Sequence, residues 1–215
     1  MGNALGRKDE QPTRNVSLAP FRAARAPVTN AQYDEFVAGT GRRVSQFRDD
    51  ARFNDAVQPV VGISWHDAVA YCAWLSDECG VACRLPSESE REFASLGGLD
   101  GSNWPWGAEP PGERPELAAI AALDQPHEPT PACANGYGLR CMAENVHEWC
   151  GDWYDRDAYQ SAIEERPGGP ESGTRKVCRG GSWRHSVKFT RLSARASLAP
   201  KFHYNDFGFR VYADG

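Results

Sequence analysis

Several things are scarce in this 215-residue chain, and each scarcity removes a class of function. No run approaches the roughly 18 apolar residues that a bilayer-spanning helix needs. Residues 7–11 read Arg-Lys-Asp-Glu-Gln where an export signal carries its apolar stretch, and Gly6 stands where a myristoylation signal takes Ser or Thr. A cytoplasmic protein with no membrane partner is expected. Basic charge is also short: 24 Lys and Arg against 29 Asp and Glu leave a net charge of −5, and Arg42-Arg43 is the one adjacent arginine pair. Without a basic field there is no counterion release to drive binding to a phosphate backbone, so nucleic acid is not an expected partner. The arginines are read as solvated surface charge. Internal repeats and low-complexity tracts are absent, and so is any Cys-x-x-Cys, which removes zinc-ribbon and thioredoxin-type readings.

What is present is globular: 40% hydrophobic and 25% charged residues, with 21 Gly, 15 Pro and 7 Trp. That balance predicts a loop-rich fold wrapped around aromatic anchors, organised as one domain over residues 1–215. Seven cysteines are an odd number in a chain too large to need disulfide staples, so buried or partly buried thiols are expected. Cys79 and Cys83, four apart with no second cluster, are weak evidence for a metal site.

Three helices are legible. Thr29-x-x-Gln32 is a capping box, with Val28 placed to staple onto Tyr33, and predicts a helix to about Ala38 that stops at Gly39. Ser64 can cap a second helix, in which Trp65, Ala68, Val69, Cys72 and Leu75 recur at helical spacing before Gly80. Ser87-x-x-Glu90 opens a third, ended by Gly97-Gly98. A short turn is expected at Leu117 to Leu123 within an otherwise irregular segment. Strands are predicted around His147 to Trp153, Arg175 to Trp183 and Phe207 to Tyr212.

Eight stretches in order carry a resemblance. They are Pro27-Val-Thr-Asn-Ala-Gln-Tyr33, Pro59-Val-Val-Gly-Ile-Ser-Trp65 running into Ala70-Tyr-Cys-Ala-Trp-Leu75, Arg84-Leu-Pro-Ser-Glu-Ser-Glu90, Trp104-Pro-Trp-Gly107, Gly136-Tyr-Gly-Leu139, Glu144-Asn-Val-His-Glu-Trp149, Arg179-Gly-Gly-Ser-Trp183 and Gly208-Phe-Arg-Val211. Together they resemble the formylglycine-generating enzymes, also called sulfatase-modifying factors. The resemblance implies an α+β fold of the C-type lectin-like kind, loop-rich, with small antiparallel sheets and two to three helices.

That family oxidises a substrate cysteine using copper held by two cysteines shortly after the Gly-Gly-Ser-aromatic motif. Soft sulfur suits Cu(I). Aligned from Gly180-Gly181-Ser182-Trp183, the two positions here are His185 and Thr190, so the thiolate pair is missing and formylglycine synthesis is not expected. Cys178 lies just upstream, but one thiol does not rebuild the site. Cys72 occupies a position where some relatives carry a disulfide cysteine, and Val211 stands near its partner's place, so Cys72 is expected to be free and buried.

The resemblance also implies calcium through Asn145, the carbonyl of Val146 and the carboxylate of Glu148, hard oxygen donors on a tight loop. A second family calcium site keeps only Asp124, because Ala119 takes the place of its leading Asn.

Two readings follow. One is a recognition or accessory protein for a small molecule or a peptide or protein ligand, with a pocket built from His147, Arg184, His185, Lys188, Phe189, His203 and Tyr204. The other is a non-canonical oxidoreductase using iron or copper, a transition metal held by His185 with His147 or His203.

Overall fold

A computed structural model describes residues 1–115, 122–160, 169–185 and 189–215. The three helices form where their caps predict. Helix α1 (Asn30–Thr40), α2 (Trp65–Cys79) and α3 (Glu88–Leu96) each start from a complete capping box, on Thr29, Ser64 and Ser87 respectively. In α2 the box closes through Asp67, whose carboxylate takes the Ser64 N–H at 2.9 Å. Helix α1 runs past Gly39 and ends at Gly41, in the left-handed conformation at φ 68°. Gly39 lies inside the helix instead, where an added Cβ would make ordinary contact with the Trp74 ring at 3.4 Å. On α2 the buried positions are Ala68, Tyr71 and Cys72, while Val69 faces solvent. Part of the expected turn at Leu117 to Leu123 lies outside the described residues.

Among the described residues, seven short strands make two sheets. Strands β1 (Phe21–Ala23), β7 (Tyr212–Asp214) and β2 (Cys83–Arg84) form an antiparallel sheet in the order β1-β7-β2. The second sheet has the order β5-β4-β3-β6, from Ala196–Leu198, Lys176–Arg179, His147–Trp153 and Phe207–Gly208. Its β3–β6 pair is parallel, pairing His147 with Phe207, so the sheets are not wholly antiparallel as expected. The predicted strand from Phe207 to Tyr212 divides between both sheets because Gly208 pairs with Glu148 and Tyr212 with Ala23 and Arg84. Strand β4 stops at Arg179 because Gly180 and Gly181 both take positive φ, 99° and 68°.

One apolar core joins Tyr33, Phe36, Tyr71 and Cys72 of the first two helices to Trp149, Cys178, Leu198, Phe207 and Phe209. All seven cysteines are free thiols, with Cys72, Cys133, Cys141, Cys150 and Cys178 buried. The Sγ atoms of Cys79 and Cys83 lie 3.9 Å apart.

The surface reading of the arginines fails at four positions. Arg91, Arg179, Arg195 and Arg210 are at most 3% exposed. Each meets a buried carboxylate: Arg91 and Arg210 hold Glu148, Arg195 holds Glu88 at 2.7 and 2.8 Å, and Arg179 holds Glu92. Burial is tolerable because every charge finds an opposite one with good hydrogen-bond geometry. Helix α3 therefore docks on the second sheet largely through ions. Among the described residues no helix is long and apolar enough to cross a membrane.

Candidate functional site

The turn after β4 builds the site. At Gly181 an added Cβ would lie 2.7 Å from Thr190 Cγ2 and 2.8 Å from the Phe189 carbonyl, so only glycine lets residues 189–190 pass this close. The reversal brings Ser182 and His185 beside His147 at the start of β3 and Asp206 just before β6. His147 Nε2 lies 3.0 Å from His185 Nδ1, and Ser182 Oγ lies 2.8 Å from the same Nδ1. The Ser182 hydroxyl also donates to Asp206 Oδ2 at 2.9 Å, which stands 3.7 Å from His185 Nδ1.

His147 is buried, its ring packed 4.7 Å from that of Phe207. Burial, with His185 and then Arg184 adding positive charge nearby, pushes its pKa down to about 3. Burial also lowers that of His185, against the pull of Asp206. Both rings are neutral near pH 7, and neutral imidazoles can accept a proton or bind a cation.

His147, His185 and Asp206 sit in the wall of a cavity of about 440 Å³, within the usual range for small-molecule sites. Arg184, Phe189 and Tyr204 line it as expected. His203 does not: its Nε2 pairs with Asp67 at 3.4 Å, at the start of α2. It therefore cannot join His185 on a metal. Lys188 lies outside the described residues. Arg7, Tyr154, Arg175, Ser197 and Asp206 also line the cavity, and none of them was expected from the sequence. Asp206 carried a signal, since it stands two residues before Gly208-Phe-Arg-Val211; Arg7 and Tyr154 carried none.

The two positions where the family resemblance places copper thiolates separate in space. His185 is in the pocket wall, whereas Thr190 is buried and its Oγ1 accepts the Trp104 Nε1–H at 3.2 Å. Cys178 is fully buried in the apolar core, and no thiol among the described residues lines the cavity. A copper dithiolate does not fit these residues.

The calcium set does not fit either. Both Glu148 oxygens accept from guanidinium groups: Oε2 from Arg91 at 2.8 Å and from Arg210 at 3.1 Å, and Oε1 from Arg210 at 2.9 Å. Those cations hold the carboxyl below its usual pKa despite complete burial. Asn145 spends its amide on the His127 backbone, donating to its carbonyl at 2.9 Å and accepting its N–H at 3.2 Å. A divalent cation would meet two guanidinium charges on its only charged ligand. Asp124 is exposed and Ala119 lies outside the described residues.

Comparison with known proteins agrees with this architecture. Residues 1–214 match the model of the family described as sulfatase-modifying factor enzyme 1-like domain. The chain is 32% identical to a formylglycine-generating enzyme of Thermomonospora curvata, over 99% of this chain and 88% of that protein. It is also 32% identical to the serine/threonine-protein kinase pkn1 of Chlamydia caviae, over 97% of this chain. There it spans only about a third, 35%, of the relative's length. Among solved structures, PvdO from Pseudomonas aeruginosa superimposes with a TM-score of 0.86 at 25% identity, covering 100% of this chain and 90% of that one.

Proposed function

Because this chain belongs to the sulfatase-modifying factor enzyme 1-like family, we propose that it uses the family fold to recognise a small anionic molecule or an anionic peptide, without making formylglycine. The observation that carries the reading is the composition of the cavity. Arg175 and Arg184 are exposed at the cavity, and neither holds a carboxylate of the described residues in a close pair. Arg175 donates only to Ser197, from Nε to Oγ at 2.9 Å and from Nη2 to the carbonyl, and Arg184 Nη1 donates to Asn205 Oδ1 at 2.9 Å and stays 3.8 Å from Asp206. Exposed guanidinium groups over aromatic walls favour planar anions, which they can grip through two parallel hydrogen bonds. The cysteine-oxidising thiols have no counterpart in the cavity.

The test is a thermal-shift and calorimetric comparison of a dicarboxylate, a sulfate ester and a peptide with a free C-terminal carboxylate against their neutral amides. The anions should raise the melting temperature and the amides should not, and Arg184→Ala should remove the difference. Equal response to both sets would sink the proposal.

A second reading, a metal-dependent oxidoreductase, has one observation in its favour. Donor atoms of His147, His185 and Asp206 all lie within 4.8 Å of one another. Two imidazoles and a carboxylate are the donor set of non-haem iron sites. Stoichiometric iron or copper in protein purified without a metal-binding tag, lost in His185→Ala, would favour this reading over recognition.

A further inference from the structure

A second cluster of donors lies away from the pocket, where the segment around Pro131–Cys133 passes the loop before β3. His127, Cys141 and Glu144 are all buried, and one donor atom from each lies within 4.8 Å of the others. Cys133 stands next to this group, its Sγ 2.7 Å from that of Cys141.

The polar atoms here are left over in a way that isolates them as ligands. Neither Glu144 carboxylate oxygen has a hydrogen-bond partner, although the residue is 7% exposed and both atoms are fully shielded. His127 Nε2 is likewise buried and unpartnered. Its other nitrogen is committed: Nδ1 lies 3.0 Å from the Glu128 carbonyl, which can only accept, so the proton sits on Nδ1 and the Nε2 lone pair is free. That arrangement, one ring nitrogen donating to a backbone carbonyl while the other is bare, is how metal-binding histidines are oriented. Buried polar groups without partners are rare enough to require an explanation.

The backbone points the same way. Three described non-glycine residues have positive φ, and two of them are Cys141 at 54° and Glu144 at 70°. Such conformations persist where the surroundings over-determine them.

We propose that His127, Cys133, Cys141 and Glu144 form a closed structural site for zinc(II), which clips the 127–133 segment to the loop that carries His147. One imidazole nitrogen, two thiolates and one carboxylate oxygen complete a tetrahedral set, and zinc takes all three donor types. With no fifth position and no access to solvent, the site is structural. Closing on the ion asks the outer donors to move inward by about 1 Å and the two sulfurs to part by about 1 Å in total, within reach of side-chain rotation.

Without metal the cluster must hold protons. Zinc takes these donors in their deprotonated forms, so its binding releases protons to solvent. The site shares no residue with the pocket, so it stands or falls independently of the proposed function.

The full-length protein, made without a metal-binding tag and kept reduced, is assayed for metal after zinc loading and dialysis. About one zinc per chain is expected, retained in His185→Ala and reduced at least about tenfold in Cys141→Ser and His127→Ala. Cobalt(II) in place of zinc should give a thiolate-to-cobalt charge-transfer band in the wild-type protein, a readout that does not depend on whether the variants fold. Calorimetry in buffers of differing ionisation enthalpy should report proton release on zinc binding. Wild-type protein that takes up no zinc, a cobalt spectrum without the thiolate band, or a Cys133–Cys141 disulfide that survives reductant would each overturn the proposal. Loss of zinc in His185→Ala would place the metal in the pocket instead.

Discussion

His147 Nε2 and His185 Nδ1 lie 3.0 Å apart, although 38 residues separate them in the chain. The contact joins the buried start of β3 to an exposed turn, so one imidazole is held by packing while the other is free to meet a ligand. His185→Ala should weaken binding of an anionic probe at least about tenfold, since it removes the pocket's exposed imidazole. Folding stability should change by less than about 1 kcal/mol, the ring being half exposed. Calorimetric titration and urea unfolding of the same preparation separate the two effects. Equal losses in both would mean the ring is a packing group.

Formylglycine should not form. A peptide carrying Cys-x-Pro-x-Arg, incubated with the protein, copper and oxygen, should keep its thiol by mass spectrometry. The position of one family thiolate is the Thr190 hydroxyl, bonded to Trp104, and neither it nor Cys178 reaches the cavity. Aldehyde product at a catalytic rate would contradict this.

Glu148→Gln should cost roughly 3–5 kcal/mol in urea unfolding, because it leaves Arg91 and Arg210 buried with one neutral partner between them. Chelation should leave wild-type melting unchanged as far as calcium is concerned. A calcium-dependent rise in melting temperature that Glu148→Gln abolishes would restore the calcium assignment.

Asp152 makes a pH prediction. Burial lifts its pKa from 3.8 to about 7, with Glu88 adding to the rise against a hydrogen bond from the Glu88 N–H and the charge of Lys176. Since the folded value is the higher, the unfolded chain ionises first. The contribution is fully present below about pH 4 and is lost as pH rises through about 7, each tenfold fall in proton concentration between those limits removing roughly 1.4 kcal/mol. Asp152→Asn keeps an oxygen to accept from the Glu88 N–H, so unfolding midpoints between pH 4.5 and 7.5 should fall less in the variant than in wild type. Parallel profiles would show that Asp152 ionises normally.

Gly181→Ala should destabilise the fold by more than about 1 kcal/mol, through the φ of 68° and the clash with Thr190. It should also abolish probe binding, because the reversal that carries Ser182 and His185 depends on it. An alanine variant with normal binding would show that the turn has slack.

The helices were legible because their signals are local: Thr29 with Gln32 and Ser87 with Glu90 carry the caps within four residues. His147 and His185 could be singled out by type and by position in the family pattern. Their convergence depends on how closely Gly181 lets Thr190 approach, which no residue spacing encodes. The calcium reading of Glu148 failed for a related reason: the guanidinium groups that claim it come from 57 and 62 residues away. Charge counts say how many arginines exist and nothing of which carboxylate each will meet. The split of the last predicted strand is of the same kind, since Gly208 and Tyr212 are assigned by different partners.

The ionic seam under α3 also bears on the order of synthesis. Glu88 and Glu92 leave the ribosome before their guanidinium partners, Arg195 and Arg179, which follow 107 and 87 residues later. Until then, docking α3 would bury carboxylates with no counter-charge, which costs several kcal/mol each. A chain ending before Arg179 should therefore leave α3 undocked, exposed to chaperones and proteases.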